Sequence, residues 1–336
     1  MDNGATMHLA VSLLPGNASS NEPPAGGPDF STDFSALARF AQKAEAAGLD
    51  MVLLADAALA SGEDAPNQPV CFEATTLLAA LATVTSRIGL VAAASTIANQ
   101  PYNLARRFAS LDIVSHGRAG WSATMAQDPR EAANFSRPDG FSTDEFRRRT
   151  EEYIGIVQGL WNGWDAEALL FDKSGGRFHD PEKMHLLDHK GEYFSVRGPL
   201  NVARSPQDMP VLVLSGLLEP DTDIAARAAD VILLDEGSAE DTKLHCHDLK
   251  RRAAACRREP EAVKVLINVR GDVVVDRLEL LFQSESCDGF NILMPPSALD
   301  DFVDRVLPDL CRRGLFRQGY RGATLRSHLG LAGGDR

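Results

Sequence analysis

Basic residues are scarce in this chain: 34 Lys and Arg stand against 47 Asp and Glu, for a formal net charge of -13. Nucleic acid and anionic membranes hold proteins by charge neutralisation through Lys and Arg, so neither is expected as a partner. Cysteine is sparse too. The five (Cys71, Cys246, Cys256, Cys287, Cys311) are scattered, odd in number and without CxxC spacing. That pattern suggests reduced thiols in a cytoplasmic protein rather than a disulfide framework or zinc site. The run His245-Cys246-His247 gathers metal-ligand types, but neighbours on a helix diverge by about 100° and do not converge on one ion. No metal is expected. The chain has no run of apolar residues long enough for a membrane span, and its N-terminus lacks a basic region followed by an apolar one. A soluble, unprocessed protein is expected. Gly-x-Gly-x-x-Gly, the Walker A sequence and HExxH are also missing, so dinucleotide, P-loop and hydrolase readings have no motif.

What is present is ordinary globular composition, 44% hydrophobic and 24% charged, on a repeating pattern. Short apolar runs alternate with longer amphipathic ones. The strands expected are 7–14, 51–55, 88–94, 118–124, 211–215, 231–234, 263–269 and 290–293. Each is followed by a helical pattern, at 34–47, 72–83, 102–114, 143–164, 224–229, 241–257, 273–282 and 299–313. Continuously apolar strands between helices indicate a parallel sheet covered on both faces. Eight such units fit a closed (β/α)₈ barrel, in one domain over 1–336, better than an open doubly wound sheet. An insertion at about 165–205 carries a β-hairpin over 178–196 between the fourth helix and fifth strand, and 314–336 forms a C-terminal tail.

Several segments go further than the periodicity. Phe72-Glu-Ala-Thr-Thr-Leu-Leu-Ala-Ala-Leu81, Ala94-Ser-Thr96, Asn99-Gln-Pro-Tyr102, Ala105–Asp112 and His116-Gly-Arg-Ala-Gly-Trp121 form one set. Gly159-Leu-Trp161, Leu187–Phe194, Arg197-Gly-Pro-Leu-Asn201, Asp288-Gly-Phe-Asn291, Met294-Pro-Pro296 and Thr324–Leu329 extend it along nearly the whole chain. Together they resemble the bacterial luciferase-like flavin-dependent monooxygenases, in the branch of nitrilotriacetate monooxygenase, dibenzothiophene-sulfone monooxygenase and pristinamycin synthase. The resemblance implies a TIM-like barrel that uses reduced FMN from a separate flavin reductase to oxygenate a small organic substrate, with secondary metabolism as one setting. It also implies a dimer through the second and third helices, either a homodimer or a heterodimer with a luciferase-like homologue.

The departures from the family pattern are concentrated where the cofactor would sit. The Gly-Ala-Ser-x-x-Gly loop that holds the FMN phosphate in the family reads Gly216-Leu-Leu-Glu-Pro-Asp221 here. An aspartate there competes for the N–H groups a phosphate would use. The family's Trp-Asn-x-Val-Thr-Ser reads Trp121-Ser-Ala-Thr-Met-Ala126, and the tyrosine of the following helix is replaced by Phe146 or Arg147. The strand at 263–269 runs almost directly into the helix at 273–282, where relatives carry a long lid insertion. A reactive flavin intermediate without a lid meets bulk water.

The residues that the resemblance assigns to the cofactor are Asp56, Thr96, Ser122, Arg147, Gly216 and Leu217; no catalytic residue is assigned. Each has a plainer reading. Asp56 is a flavin contact or a loop carboxylate, Thr96 a flavin contact or a turn cap, and Ser122 a ring contact or a barrel-interior serine. Arg147, with Arg148 and Arg149, faces the phosphate or forms a solvated helix face. Trp121 reads as core, Arg118 as a turn anchor, and Glu73 as a helix N-terminus carboxylate. Two functional readings therefore stand: an FMNH₂-dependent monooxygenase, and a catalytically silent subunit that pairs with and stabilises an active homologue.

Overall fold

The computed structural model describes residues 6–13, 33–54, 72–127, 129–135, 137 and 139–333. The first half of the chain runs β1 (His8–Leu13), α1 (Phe34–Ala46), β2 (Met51–Leu54), α2 (Ala74–Ala82), β3 (Gly89–Ala93), α3 (Pro101–Val114), β4 (Ala119–Thr124), a short α4 (Pro129–Asn134) and a long α5 (Thr143–Trp161). An excursion follows, built of β5 (Leu169–Asp172), β6 (Arg177–His179), β7 (His189–Lys190) and β8 (Ser195–Val196). The barrel then resumes with β9 (Val211–Ser215), α6 (Thr222–Ala228), β10 (Val231–Asp235), α7 (Ala239–Ala255), β11 (Lys264–Arg270), α8 (Val275–Gln283) and β12 (Gly289–Met294). The last helical run comprises α9 (Leu299–Asp301), a π turn (Phe302–Val306) and α10 (Leu307–Arg312), and α11 (Leu325–His328) lies in the tail. Pro308 has no N–H to return to the preceding turn, and Leu307 N reaches back to Phe302 O instead, so the π turn marks where the ladder slips.

The eight expected strands close into a parallel barrel in the order β1-β12-β11-β10-β9-β4-β3-β2. Local chemistry starts the helices: Asp33, Glu73, Ser142 and Ser238 each accept a backbone N–H of the first turn of α1, α2, α5 and α7, and Pro101 opens α3. The excursion differs from the single hairpin expected over 178–196. It holds two separate antiparallel pairs, β5–β6 and β7–β8. Asp172 closes the first by accepting the N–H groups of Ser174 (3.0 Å) and Gly175 (2.8 Å), a side-chain turn that apolar patterning does not reveal.

Strand alternation divides the interior into two apolar sets. The outward set packs on the helices and includes Trp121, Phe108 and Tyr153. The inward set includes Met51, Val91, Val213, Val231 and Leu266, joined from the tail by Leu325, Leu329 and Leu331. The tail therefore plugs the N-terminal end of the barrel. Gly89 and Gly120 make room for it: a Cβ on Gly89 would overlap Leu325 Cδ1, and one on Gly120 would lie 2.9 Å from Val91 Cγ2.

The floor is stitched by a repeated device. Asp50, Asp230 and Asp288 each stand just before a strand and accept an N–H from the strand alongside: Leu9 at 2.7 Å, Leu212 at 2.9 Å and Val265 at 2.8 Å. Each meets a cation: Arg317 lies 2.8 Å from Asp50, Arg326 3.0 Å from Asp230, and Lys250 2.6 Å from Asp288. Burial alone would raise the Asp50 carboxyl, but His8, Arg317 and the Leu9 N–H outweigh it and hold it below its usual range. Arg118, only 1% exposed, anchors the turn before β4 as expected. It donates to the carbonyls of Ser115, Ile88, Ala82 and Thr85 and to the Thr85 hydroxyl.

Candidate functional site at the barrel mouth

The C-terminal ends of the parallel strands form the opposite rim, the usual place for chemistry in this architecture. Because β3, β4 and β9 are adjacent, the segment after β3, the end of β4 and the loop after β9 come together there. Ser122 pairs in register with Ala93 and Val213. It shares the inward face with Val213 and is half-buried, and its hydroxyl bonds to no other described residue. Trp121 points the other way, fully buried in the outer core with its indole N–H on Ala94 O at 2.9 Å. Thr96 is 3% exposed. Its hydroxyl lies 3.2 Å from Thr150 Oγ1 and its carbonyl accepts from Arg149 at 2.9 Å, so both of its polar groups are already engaged. Asp56 lies outside the described residues.

The three successive arginines do not form one solvated face. Arg148 is exposed and pairs with Glu192 at 3.5 Å. Arg149 turns inward, over the rings of Phe194 (4.8 Å), Phe141 (5.2 Å) and Tyr153 (6.0 Å). Arg147 pairs with Asp144 at 3.5 Å and its charge also reaches Asp221. A rotation of about 100° per residue separates the three. Phe146, the other candidate for the missing tyrosine, is buried against Phe141.

The turn after β9 is the one expected from the resemblance to hold a flavin phosphate. Gly216 adopts φ +65, and a Cβ there would come within 2.7 Å of Thr124 Oγ1, so glycine is required by the approach of β4. Leu217 packs toward the outer core and Leu218 is exposed. The N–H of Leu218 is taken by the carboxylate of Asp221 at 2.9 Å, and Asp221 N donates back to Leu218 O at 2.9 Å. Asp221 is itself 3% exposed. Burial pushes its carboxyl up, partly offset by the Leu218 N–H and the Arg147 charge. An N–H already bonded to a carboxylate does not serve a second anion, and like charges repel at this range. The residues present do not fit an FMN phosphate.

Across the rim lies a set of polar side chains that sequence reading did not single out. Ser12 Oγ donates to Asn291 Oδ1 (3.0 Å), Asn291 Nδ2 to Asn268 Oδ1 (2.8 Å), and Asn268 Nδ2 to Asp235 Oδ1 (3.0 Å). The strand registers pair Ser12 with Leu293, Asn268 with Asn291, and Asp235 with Asn268, so one polar rung spans β1, β12, β11 and β10. The available signal was a lone polar residue inside each apolar strand, at Asn268 in Lys264–Arg270 and Asn291 in Gly289–Met294. Above this rung β11 connects to α8 through residues 271–274 alone, with Val274 exposed.

A parallel (β/α)₈ barrel with a polar-lined mouth defines an enzyme-type scaffold. The luciferase-like monooxygenase family model matches residues 7–278, and the chain belongs to that family. Among its relatives, one of the subunits of pristinamycin IIA synthase from Streptomyces pristinaespiralis is 36% identical over 296 residues, covering 88% of each chain. Nitrilotriacetate monooxygenase component A of Aminobacter aminovorans is 33% identical and covers 92% of each, but over 418 aligned residues. That span exceeds the 336 residues of this chain, so the relative carries segments absent here. The solved EDTA monooxygenase of Chelativorans sp. BNC1 superposes with TM-score 0.85 at 26% identity, covering 98% of this chain and 99% of the other.

Proposed function

We propose that this protein works in a two-component flavin-dependent monooxygenase system. It receives reduced FMN from a separate flavin reductase and oxygenates a small organic substrate in the cytoplasm, within secondary metabolism. The observation that carries this reading is likeness along the whole barrel, at 33% and 36% identity, to a component of nitrilotriacetate monooxygenase and a subunit of pristinamycin IIA synthase. A dimer through α2 and α3 accompanies it. That surface exposes Ile113 and Val114 beside a cleft of about 680 Å³ whose walls include Thr76, Asn99, Arg107 and Phe135, the kind of partly apolar face a second subunit covers. Anaerobic titration with reduced FMN tests the enzyme reading: saturation in the micromolar range supports it, and no binding at millimolar flavin overturns it.

A second reading is favoured by a specific pair of observations, the Asp221-capped turn and the short β11–α8 connection. In it the chain is a silent subunit that pairs with a luciferase-like homologue carrying the lid. Co-expression with a lid-bearing homologue tests it: a stable heterodimer whose partner loses thermal stability alone supports it, and two independent homodimers sink it.

A further inference from the structure

We propose that Asp221 is a built-in anion standing where a cofactor phosphate would be held, so that this chain gains no affinity from a flavin's phosphate and takes riboflavin at least as well as FMN. The flavin part of this inference rests on the reading above; the anion part does not. A strand-to-helix turn opened by a positive-φ glycine points backbone N–H groups toward one spot, and such turns collect anions. Here Gly216 supplies the turn at φ +65, and the anion that occupies it is the carboxylate of Asp221, 3% exposed and 2.9 Å from Leu218 N. The reciprocal bond from Asp221 N to Leu218 O closes the ring. Arg147 on α5, paired with Asp144 at 3.5 Å, is near enough for its charge to favour the Asp221 carboxylate. The surroundings add further negative charge, since Glu219 and Asp223 flank the turn and both lean on Arg252, at 3.7 and 2.6 Å. A phosphate dianion arriving here has to displace a buried carboxylate and face two more. Riboflavin ends in a neutral hydroxyl and meets no such opposition.

The experiment compares the full-length wild type with Asp221→Gly, using two independent probes. Inorganic phosphate is read by thermal midpoint against chloride at equal ionic strength. Riboflavin and FMN are read by flavin fluorescence titration. For the wild type we expect no phosphate-specific rise in midpoint and FMN no tighter than riboflavin. Asp221→Gly is expected to gain a phosphate-dependent rise and, for about one charge-assisted contact, a roughly tenfold preference for FMN. Adding Arg147→Ala should remove both gains. A wild type stabilised by phosphate, a wild type preferring FMN tenfold, or a folded Asp221→Gly that gains neither would overturn the inference. If Asp221→Gly gains the phosphate response while neither protein binds any flavin, the anion assignment stands and the flavin reading falls. If both bind both flavins equally and ignore phosphate, the reverse holds. Should Asp221→Gly lose its circular dichroism signature, Asp221→Ala, which also removes the charge and frees the Leu218 N–H, carries the same outcomes.

Discussion

The two ends of this barrel are built on opposite principles. At the floor Asp50, Asp230 and Asp288 are each paired with a cation, and the tail is threaded into the lumen. At the mouth lie the Ser122 hydroxyl, the Ser12–Asn291–Asn268–Asp235 rung, the Asp221-capped turn after β9 and the short β11–α8 connection. Buried ionic groups tolerate little change, because removing one partner strands the other. A rim exchanges contacts with water and loses little on substitution. The floor therefore holds the fold, and substitutions at the mouth should cost it less.

The largest effect should come from breaking the floor. Arg317→Met leaves Asp50, fully buried, with only His8 and the Leu9 N–H beside its carboxylate, and we expect a loss of about 3 kcal/mol in urea unfolding at pH 7. The acid side has a definite sign. The folded Asp50 carboxyl is held below its ordinary value, so its contribution is present above that value and drains away as pH falls through the lowered one. An Arg317→Met protein as stable as wild type at pH 7 would mean that the pair is incidental.

Next in size is the plug. Gly89→Ala sets a Cβ against Leu325 Cδ1, an overpacking worth about 1–3 kcal/mol. Leu325→Ala opens a cavity of its own, yet the double variant should be more stable than the sum of the singles, because the new methyl fills part of the space. Strict additivity would show that the tail does not sit in the lumen.

The floor also contains an exception, and it sets the third prediction. Asp112 is fully buried and accepts from Ala119 N at 3.0 Å and Gln207 Nε2 at 2.6 Å, but it has no ion-pair partner among the described residues. Burial pushes its carboxyl up to about 6, against those hydrogen bonds. With the folded value raised, the native state binds the extra proton, so this group's contribution is largest below its ordinary value and is lost as pH rises through about 6. Asp112→Asn keeps an accepting oxygen and removes the charge. It should flatten that slope and raise stability at pH 8 by about 1–2 kcal/mol, as read from denaturant midpoints across pH.

The same contrast decides what the sequence made legible. All eight barrel strands were readable because parallel strands buried on both faces are written as largely apolar runs, unbroken in Met51–Leu54. The turn anchor Arg118, the cap Glu73 and the core Trp121 followed from single-residue chemistry. The plug did not: α11 is too short to show a helical period, and its partners in the lumen are spread over strands from β1 to β11. The Asp235–Asn268–Asn291–Ser12 rung was hidden for the same reason, since Ser12 and Asn291 are 279 positions apart and only strand register joins them. At the site, Asp221 was legible as a departure from a pattern, but not its capture of the Leu218 N–H. Arg149 was misjudged with its neighbours because a run in sequence is not a face on a helix.

The smallest expected effect lies at the mouth. Ser122 faces the lumen at the end of β4, half-buried, with its backbone in the barrel ladder and its hydroxyl bonded to no other described residue. Ser122→Ala removes one oxygen that the fold does not use, and its stability cost should stay within about 0.5 kcal/mol. A matched substitution on the floor side of the same strand, at Gly120, is confined by Val91 and Leu325 and should cost several times more. If the hydroxyl serves a ligand instead, Ser122→Ala will weaken riboflavin or FMN in the fluorescence titration while leaving the unfolding midpoint in place. A loss of stability comparable to that at Gly120 would erase the distinction between the two ends, and make the mouth as much a part of the scaffold as the floor.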